Sequence, residues 1–399
     1  MPIPTPFHPR TSSLATSHAW RDWSGFLAVS AYETHHEHEY NAIRNACALF
    51  DISPLYKYRV SGPDAVRLVD RVITRDATRL EIGQVWYTPW CDEDGTVIDD
   101  GTVTRTAEQV FRWTAADPSL RWLTLNATGL DVRVEDISEQ VAALALQGPA
   151  AAALLRESST VPIDELRYFR ASAGSIGGVP VDVTRTGYTG DLGYELWMPW
   201  DAALRVWDTL VEAGARFDLT PAGMLALDVA RVEAGLLLID VDFHGSRKAL
   251  IPSQRYTPAE LGLDRLVSFD KGPFVGRAAL REEAARGPAR RVVGLEVEWT
   301  GVEALYEAAG LPPTAPAATS RVAVPVFAHG RQVGRATSTT WSTTLKKLLA
   351  LATVSAPYFG DGTMLEIEVT VEAVRHRVPA RVVRTPFFAP ARKTALPPA

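Results

Sequence analysis

The chain has two cysteines in 399 residues, Cys47 and Cys91, and they form no CxxC pair. This excludes a disulfide framework and a cysteine-built zinc module, and it suits a reducing cytoplasm. No apolar run approaches the ~18 residues that a membrane span needs. The N-terminus, MPIPTPFHPRTSS, has prolines and polar residues where a signal peptide requires an apolar core. The expectation is a soluble, cytoplasmic protein with no membrane partner. Neither sign of charge dominates, since 41 basic residues stand against 47 acidic ones. The broad basic face that nucleic acid would select is absent. Several catalytic signatures are missing as well. No GxGxxG, GxxxxGK[ST], HExxH or GxSxG occurs, so a bound cofactor must be held in some other way.

What is present is the mixture of a globular protein, 46% hydrophobic and 22% charged, in a chain long enough for two or three domains. Two segments resemble each other: Arg59-Val-Ser-Gly-Pro-Asp and Ala145-Leu-Gln-Gly-Pro-Ala. Each is a short apolar strand, then Gly-Pro, then a helical pattern. Proline suits a first helical turn and glycine the sharp bend before it. Strand-like runs at residues 84–91, 97–104 and 110–114 and a helical run at 118–125 follow the first junction. Runs at 168–173, 181–186 and 194–198 and an amphipathic stretch at 202–212 follow the second. Two β-α-β-β-(β)-α units in tandem predict an α+β fold with a duplicated, ferredoxin-like core.

From about residue 291 the pattern changes to strands, at 292–298, 322–327, 332–338, 364–371 and 376–383, spaced for a small β-barrel. The expected division is residues 1–285 for the α+β part and 286–399 for the barrel. The tail, 389–399, is expected to be loosely held.

Carboxylates carry the most suggestive chemistry. In Asp94-Gly-Thr-Val-Ile-Asp-Asp-Gly-Thr-Val103, strand alternation keeps Asp99 and Asp100 from facing one pocket together. One reading is a polar strand end after an Asp-Gly turn; the other is a buried carboxylate that orients a bound amine or takes its proton. Thr34-His-His-Glu-His-Glu39 gathers three imidazoles, but without cysteines or a distant partner it reads as a solvated helix start, and no metal is expected. Trp86 and Trp90 lie at even spacing on the strand before Asp99, either as core or as a stacking surface. Arg185-Thr-Gly-Tyr-Thr-Gly-Asp-Leu-Gly-Tyr-Glu-Leu-Trp-Met-Pro199 is a hairpin by composition, or a loop that presents Glu195 to a ligand.

Taken in order, Ala48-Leu-Phe-Asp-Ile-Ser53, the Ile-Asp-Asp strand, Leu146-Gln-Gly-Pro149, Thr186-Gly-Tyr-Thr-Gly-Asp-Leu-Gly-Tyr-Glu195, Arg231-Val-Glu-Ala-Gly235, Tyr256-Thr-Pro258 and Lys271-Gly-Pro-Phe-Val-Gly-Arg277 resemble the motifs of the glycine-cleavage T-protein (aminomethyltransferase) family. Ser342-Thr-Thr-Leu-Lys-Lys347 and Pro386-Phe-Phe388 look like its C-terminal motifs, so the likeness spans nearly the whole chain. It implies a tetrahydrofolate-binding core with a central channel, followed by a barrel. By motif, Asp99 matches the family's catalytic aspartate and Glu195 the glutamate that pairs with the pterin ring. Tyr87 and Tyr188 would lie near the folate, the loop glycines would admit the pterin, and Thr114 and Arg231 complete the implied cofactor set.

Four departures bear on the substrate. Leu227 stands where the family has an arginine and Thr114 where it has an asparagine; Ser53-Pro-Leu55 and Glu39-Tyr-Asn-Ala-Ile-Arg44 also differ from the family pattern. They favour a folate-dependent demethylase or methyltransferase that takes a one-carbon group from a small methylated donor, with Tyr32 or Tyr56 giving a proton to the leaving group. The alternative is an aminomethyltransferase served by a lipoyl carrier protein. A third reading is a folate-binding regulatory protein without catalysis.

Overall fold

A computed structural model describes residues 1–397. The two Gly-Pro junctions organise it. The strands Tyr56–Ser61 and Val141–Gln147 run into Gly62 and Gly148, at φ +129° and +130°, and the helices Ala65–Val72 and Ala151–Ser158 follow. A Cβ on Gly148 would lie 2.5 Å from the Ala46 carbonyl oxygen. Only glycine meets both the positive φ and the close approach.

Around each junction strand the same sheet is built. In the five-stranded sheet the order is Val85–Cys91, Val97–Ala107, Val110–Ala115, Tyr56–Ser61, Arg133–Asp136. In the six-stranded sheet it is Ala171–Ile176, Val179–Thr184, Gly193–Pro199, Val141–Gln147, Cys47–Asp51, Leu219–Pro221. The three-strand meander lies on one side of the junction strand both times. On the other side Arg133–Asp136 pairs antiparallel in the first sheet and Cys47–Asp51 does so in the second. The duplication is therefore present, but the second unit borrows a strand from before the first.

Each sheet covers a separate core. Leu68, Val69 and Val72 of the first helix pack with Trp90, Trp113 and Trp122; Trp90 meets Trp113 edge-on at 5.0 Å, which makes it core. Val206, Trp207 and Leu210 of the helix Ala203–Gly214 pack with Leu144, Val183 and Leu196 under the second sheet.

The closed barrel has six strands, in order Arg290–Val297, Lys347–Ser355, Arg331–Ser342, Val324–Ala328, Met364–Val371, Val374–Val383. Lys347–Ser355 is the strand that the periodicity reading omits. Leu348, Ala350, Ala352 and Val354 fill the barrel while Leu349 and Leu351 pack outward on Val232. With both faces buried, the run is continuously apolar and shows no alternation. The helix Trp299–Ala308 is also absent from that reading; Trp299 packs on Trp341 of the barrel at 4.7 Å between ring centroids.

Buried charges join barrel to core along the helix Met224–Glu233. Arg231 donates to Asp242 at 2.5 Å and to Ser338 at 2.8 Å, and Glu233 accepts from the Tyr40 hydroxyl at 2.5 Å, Arg44 at 2.6 Å and Ser342 at 2.5 Å. The tail is held, contrary to expectation. Arg392 grips Asp191 through Nε and Nη2 at 2.6 and 2.9 Å, and Arg185 donates to the carbonyls of Arg392, Lys393 and Ala395. Pro398 and Ala399 lie outside the described residues. Among the described residues no helix is long and apolar enough to cross a membrane.

Candidate functional site

One face of the five-stranded sheet carries polar side chains at every second position. On Val97–Ala107 these are Asp100 and Thr102; on the neighbouring strands Tyr87 pairs with Thr102, and Thr114 shares its face with Arg112. The opposite positions, Val103, Phe111 and Trp113, are core. This polar face meets the face of the six-stranded sheet that bears Trp197 and Glu195, because Arg112 reaches across to Asp182 at 2.9 Å and lies over the Trp197 ring at 4.5 Å.

The adjacent carboxylates have different employments. Asp99 is fully buried and accepts the backbone N–H groups of Asp100 at 2.8 Å, Asp117 at 2.9 Å and Ala116 at 3.1 Å. It fastens the turn after Val110–Ala115. Burial and the neighbouring Asp100 raise its carboxyl above the usual range, while the amide donors pull it back. Asp100 is half-buried on the polar face and accepts the Tyr87 hydroxyl at 2.6 Å. Burial pushes its carboxyl up to about 6, against the Tyr87 hydrogen bond that lowers it. Burial also raises the Tyr87 hydroxyl well above its ordinary value, with Asp100 and Tyr188 nearby. Tyr188 donates to the Leu237 carbonyl and is raised by burial in the same way.

Glu195 leaves the strand Gly193–Pro199 on the side opposite the buried Tyr194. Its Oε2 accepts from Thr186 at 2.7 Å and Thr184 at 3.4 Å. Burial raises its carboxyl, opposed by the two threonines and by Arg112. The glycines of the preceding loop prove to make room for protein. A Cβ on Gly187 would lie 2.0 Å from Oε1 of Gln147, one on Gly193 2.2 Å from the same atom, and one on Gly190 2.5 Å from the Ala234 side chain. Thr189 donates to Gln147 at 2.8 Å and Arg44 to Asp191 at 3.3 Å, so the loop is tied on both sides. Glu195 is consequently a rigidly placed acceptor.

The remaining expected site residues are scattered. Thr114 faces the site, but its hydroxyl is shared with Thr102 at 2.6 Å inside the sheet. Tyr56 is half-buried on the strand beside Ala115, near Asp117, which with burial raises its hydroxyl. Tyr32 is buried against Ala15 and Val29 in a separate cluster; burial puts its hydroxyl well above its ordinary value, ill suited to giving up a proton. Arg231 has its donors taken at the barrel joint. His36 precedes the helix Glu37–Asn45, and Glu39 within it accepts the Tyr32 and Gly223 N–H groups at 2.6 and 2.7 Å. The sequence reading names Asp100 only as the neighbour of Asp99 and Gln147 only within a motif, and it does not name Arg112. The available signal was the even spacing of Asp100 with Thr102, and of Arg112 with Thr114.

Residues 8–271 match the family described as GCVT N-terminal domain, and residues 290–389 match the one described as glycine cleavage T-protein C-terminal barrel domain. The aminomethyltransferase of Moorella thermoacetica is 34% identical over 371 residues, which is 92% of this chain and 93% of that protein. That of Bacillus cereus is 33% identical over 374 residues, covering 92% and 93%. The crystal structure of the glycine cleavage system aminomethyltransferase T from Bartonella henselae superposes with a TM-score of 0.82 at 25% identity, over 98% of this chain and 99% of that one.

Proposed function

The chain belongs to the glycine-cleavage T-protein family, and from that premise we propose that it is an aminomethyltransferase, moving the one-carbon unit of an aminomethyl group on a lipoyl carrier protein to folate. Membership makes it a folate-dependent one-carbon transferase with tetrahydrofolate as cofactor. When bound, tetrahydrofolate supplies the ring nitrogen N5 and the linker nitrogen N10 that accept the one-carbon unit. The residues present fit it: a pterin offers its 2-amino and ring N–H groups along one edge, and Glu195 is a half-buried, rigid carboxylate that pairs with two such donors.

The observation that carries the catalytic reading is the pair Asp100–Tyr87. An ionised Asp100 on the polar face stabilises positive charge that develops as the amine leaves, and the Tyr87 hydroxyl holds that carboxylate in place. The catalytic role expected of Asp99 passes to Asp100 in this reading, because the Asp99 oxygens are occupied by backbone amides. A second reading, transfer from a small methylated donor, draws support from Leu227. Where the family has an arginine, this side chain is buried among Tyr40, Phe50 and Trp197.

The two readings part on the donor. Purified protein with tetrahydrofolate and aminomethyl-loaded carrier is expected to yield ammonia and methylenetetrahydrofolate. Formation of methyltetrahydrofolate from methylated amines, ethers or sulfonium compounds, with none from the carrier, transfers the assignment to the second reading. Folate binding with no turnover from any donor indicates a regulatory protein.

A further inference from the structure

Arg112 presents a buried hydrogen-bonding edge that no described residue uses. It projects from Val110–Ala115 into the space between the two sheets and is 7% exposed. One terminal nitrogen, Nη1, donates to Asp182 at 2.9 Å, and the guanidinium lies over the Trp197 ring. Nε and Nη2 are buried without a partner among the described residues. These two N–H groups share one edge of the planar group and point the same way. Elsewhere in this protein that edge binds a carboxylate two-fold: Arg392 on Asp191 at 2.6 and 2.9 Å, and Arg10 on Asp208 at 2.7 and 2.8 Å. At Arg112 it is empty, an expensive state for a buried cation unless a ligand fills it.

The position of the edge says what the ligand group is. Glu195 lies two residues from Trp197 on the same strand and on the same face, roughly 7 Å along it. Its Oε2 is engaged by Thr186 and Thr184, and it forms no ion pair with Arg112 among the described residues. The two side chains thus set an acceptor beside a donor fork. A tetrahydropterin edge presents the complementary sequence: the 2-amino donor, the N3–H donor, then the 4-oxo acceptor.

We propose that Arg112 is a specificity-determining residue that reads the 4-oxo group of the pterin while Glu195 pairs with the two donors next to it. This rests on the reading that tetrahydrofolate occupies the Glu195 face. A 4-amino group at the same place would turn a donor toward the guanidinium, and the same change removes the N3–H that Glu195 accepts, so both residues reject 4-amino folates.

Anaerobic calorimetric titration with tetrahydrofolate and with 4-amino-4-deoxytetrahydrofolate tests this. The wild type is expected to prefer the 4-oxo compound by about tenfold or more, the scale of one charge-assisted hydrogen bond. In Arg112→Met the preference narrows by about tenfold because 4-oxo affinity falls while 4-amino binding holds; the part that comes from N3–H and Glu195 remains. Arg112→Lys keeps the charge and the Asp182 contact but lacks the second edge; it shows the same loss and serves if Arg112→Met does not fold. A preference undiminished from the wild type in either folded variant overturns the proposal and leaves Arg112 a structural link to Asp182. A wild type that binds both compounds equally also overturns it, with folate binding intact. A wild type that binds neither removes the folate reading itself.

Discussion

Asp99→Asn and Asp100→Asn separate two roles carried by adjacent carboxylates. An amide at position 99 turns an NH₂ toward backbone donors that Asp99 now satisfies, so a loss of about 1–3 kcal/mol in urea melts is expected. Asp100→Asn keeps the shape but removes the charge, and kcat is expected to fall by about 10²–10³-fold with folate affinity near that of the wild type. The pH profile follows from the same residue. Its carboxyl holds the proton up to about 6, so the ionised form disappears as the pH falls through that value. kcat/KM should therefore rise with pH through about 6 to a plateau, and this limb should be missing from the residual activity of Asp100→Asn. Strand alternation shows in advance that only one of the pair faces the site. Which one was not legible, because a bulge between Trp90 and Cys91 shifts the register on the partner strand.

Under the proposed function, the loop and strand around Glu195 hold the cofactor. Glu195→Ala is expected to weaken tetrahydrofolate binding by about 1.5–3 kcal/mol in calorimetry, the range for hydrogen bonds to a charged group, with little change in melting temperature. Gly187→Ala acts indirectly. Its Cβ would displace Gln147, which ties the loop through Thr189, so both stability and folate affinity should fall together. The order of this stretch along the chain is what suggests a ligand loop. The work of its glycines was not legible, because Gln147, which Gly187 and Gly193 accommodate, comes from an earlier strand and Ala234, which Gly190 meets, from a later helix end.

For the whole molecule, the joint between core and barrel depends on ions buried on the helix Met224–Glu233. Removing one partner strands the others without water, so Glu233→Gln and Arg231→Met should each cost about 3–5 kcal/mol in equilibrium unfolding. Unchanged stability would mean that barrel and core are held by apolar contacts alone. The architecture was largely readable from the two Gly-Pro junctions, whose units reappear as matching sheets. The barrel strand Lys347–Ser355 was hidden because burial on both faces erases its period, and the structural work of Arg231 was hidden because Asp242 and Ser338 meet it only in the folded chain.

The most direct measurement of the account is single-turnover formation of ammonia and methylenetetrahydrofolate from aminomethyl-loaded lipoyl carrier protein, with tetrahydrofolate binding followed on the same samples. The wild type and Asp99→Asn, assayed where it remains folded, are expected to form product, while Asp100→Asn binds tetrahydrofolate and forms almost none. Product formation by Asp100→Asn at the wild-type rate, or none by a wild type that binds tetrahydrofolate, would contradict it.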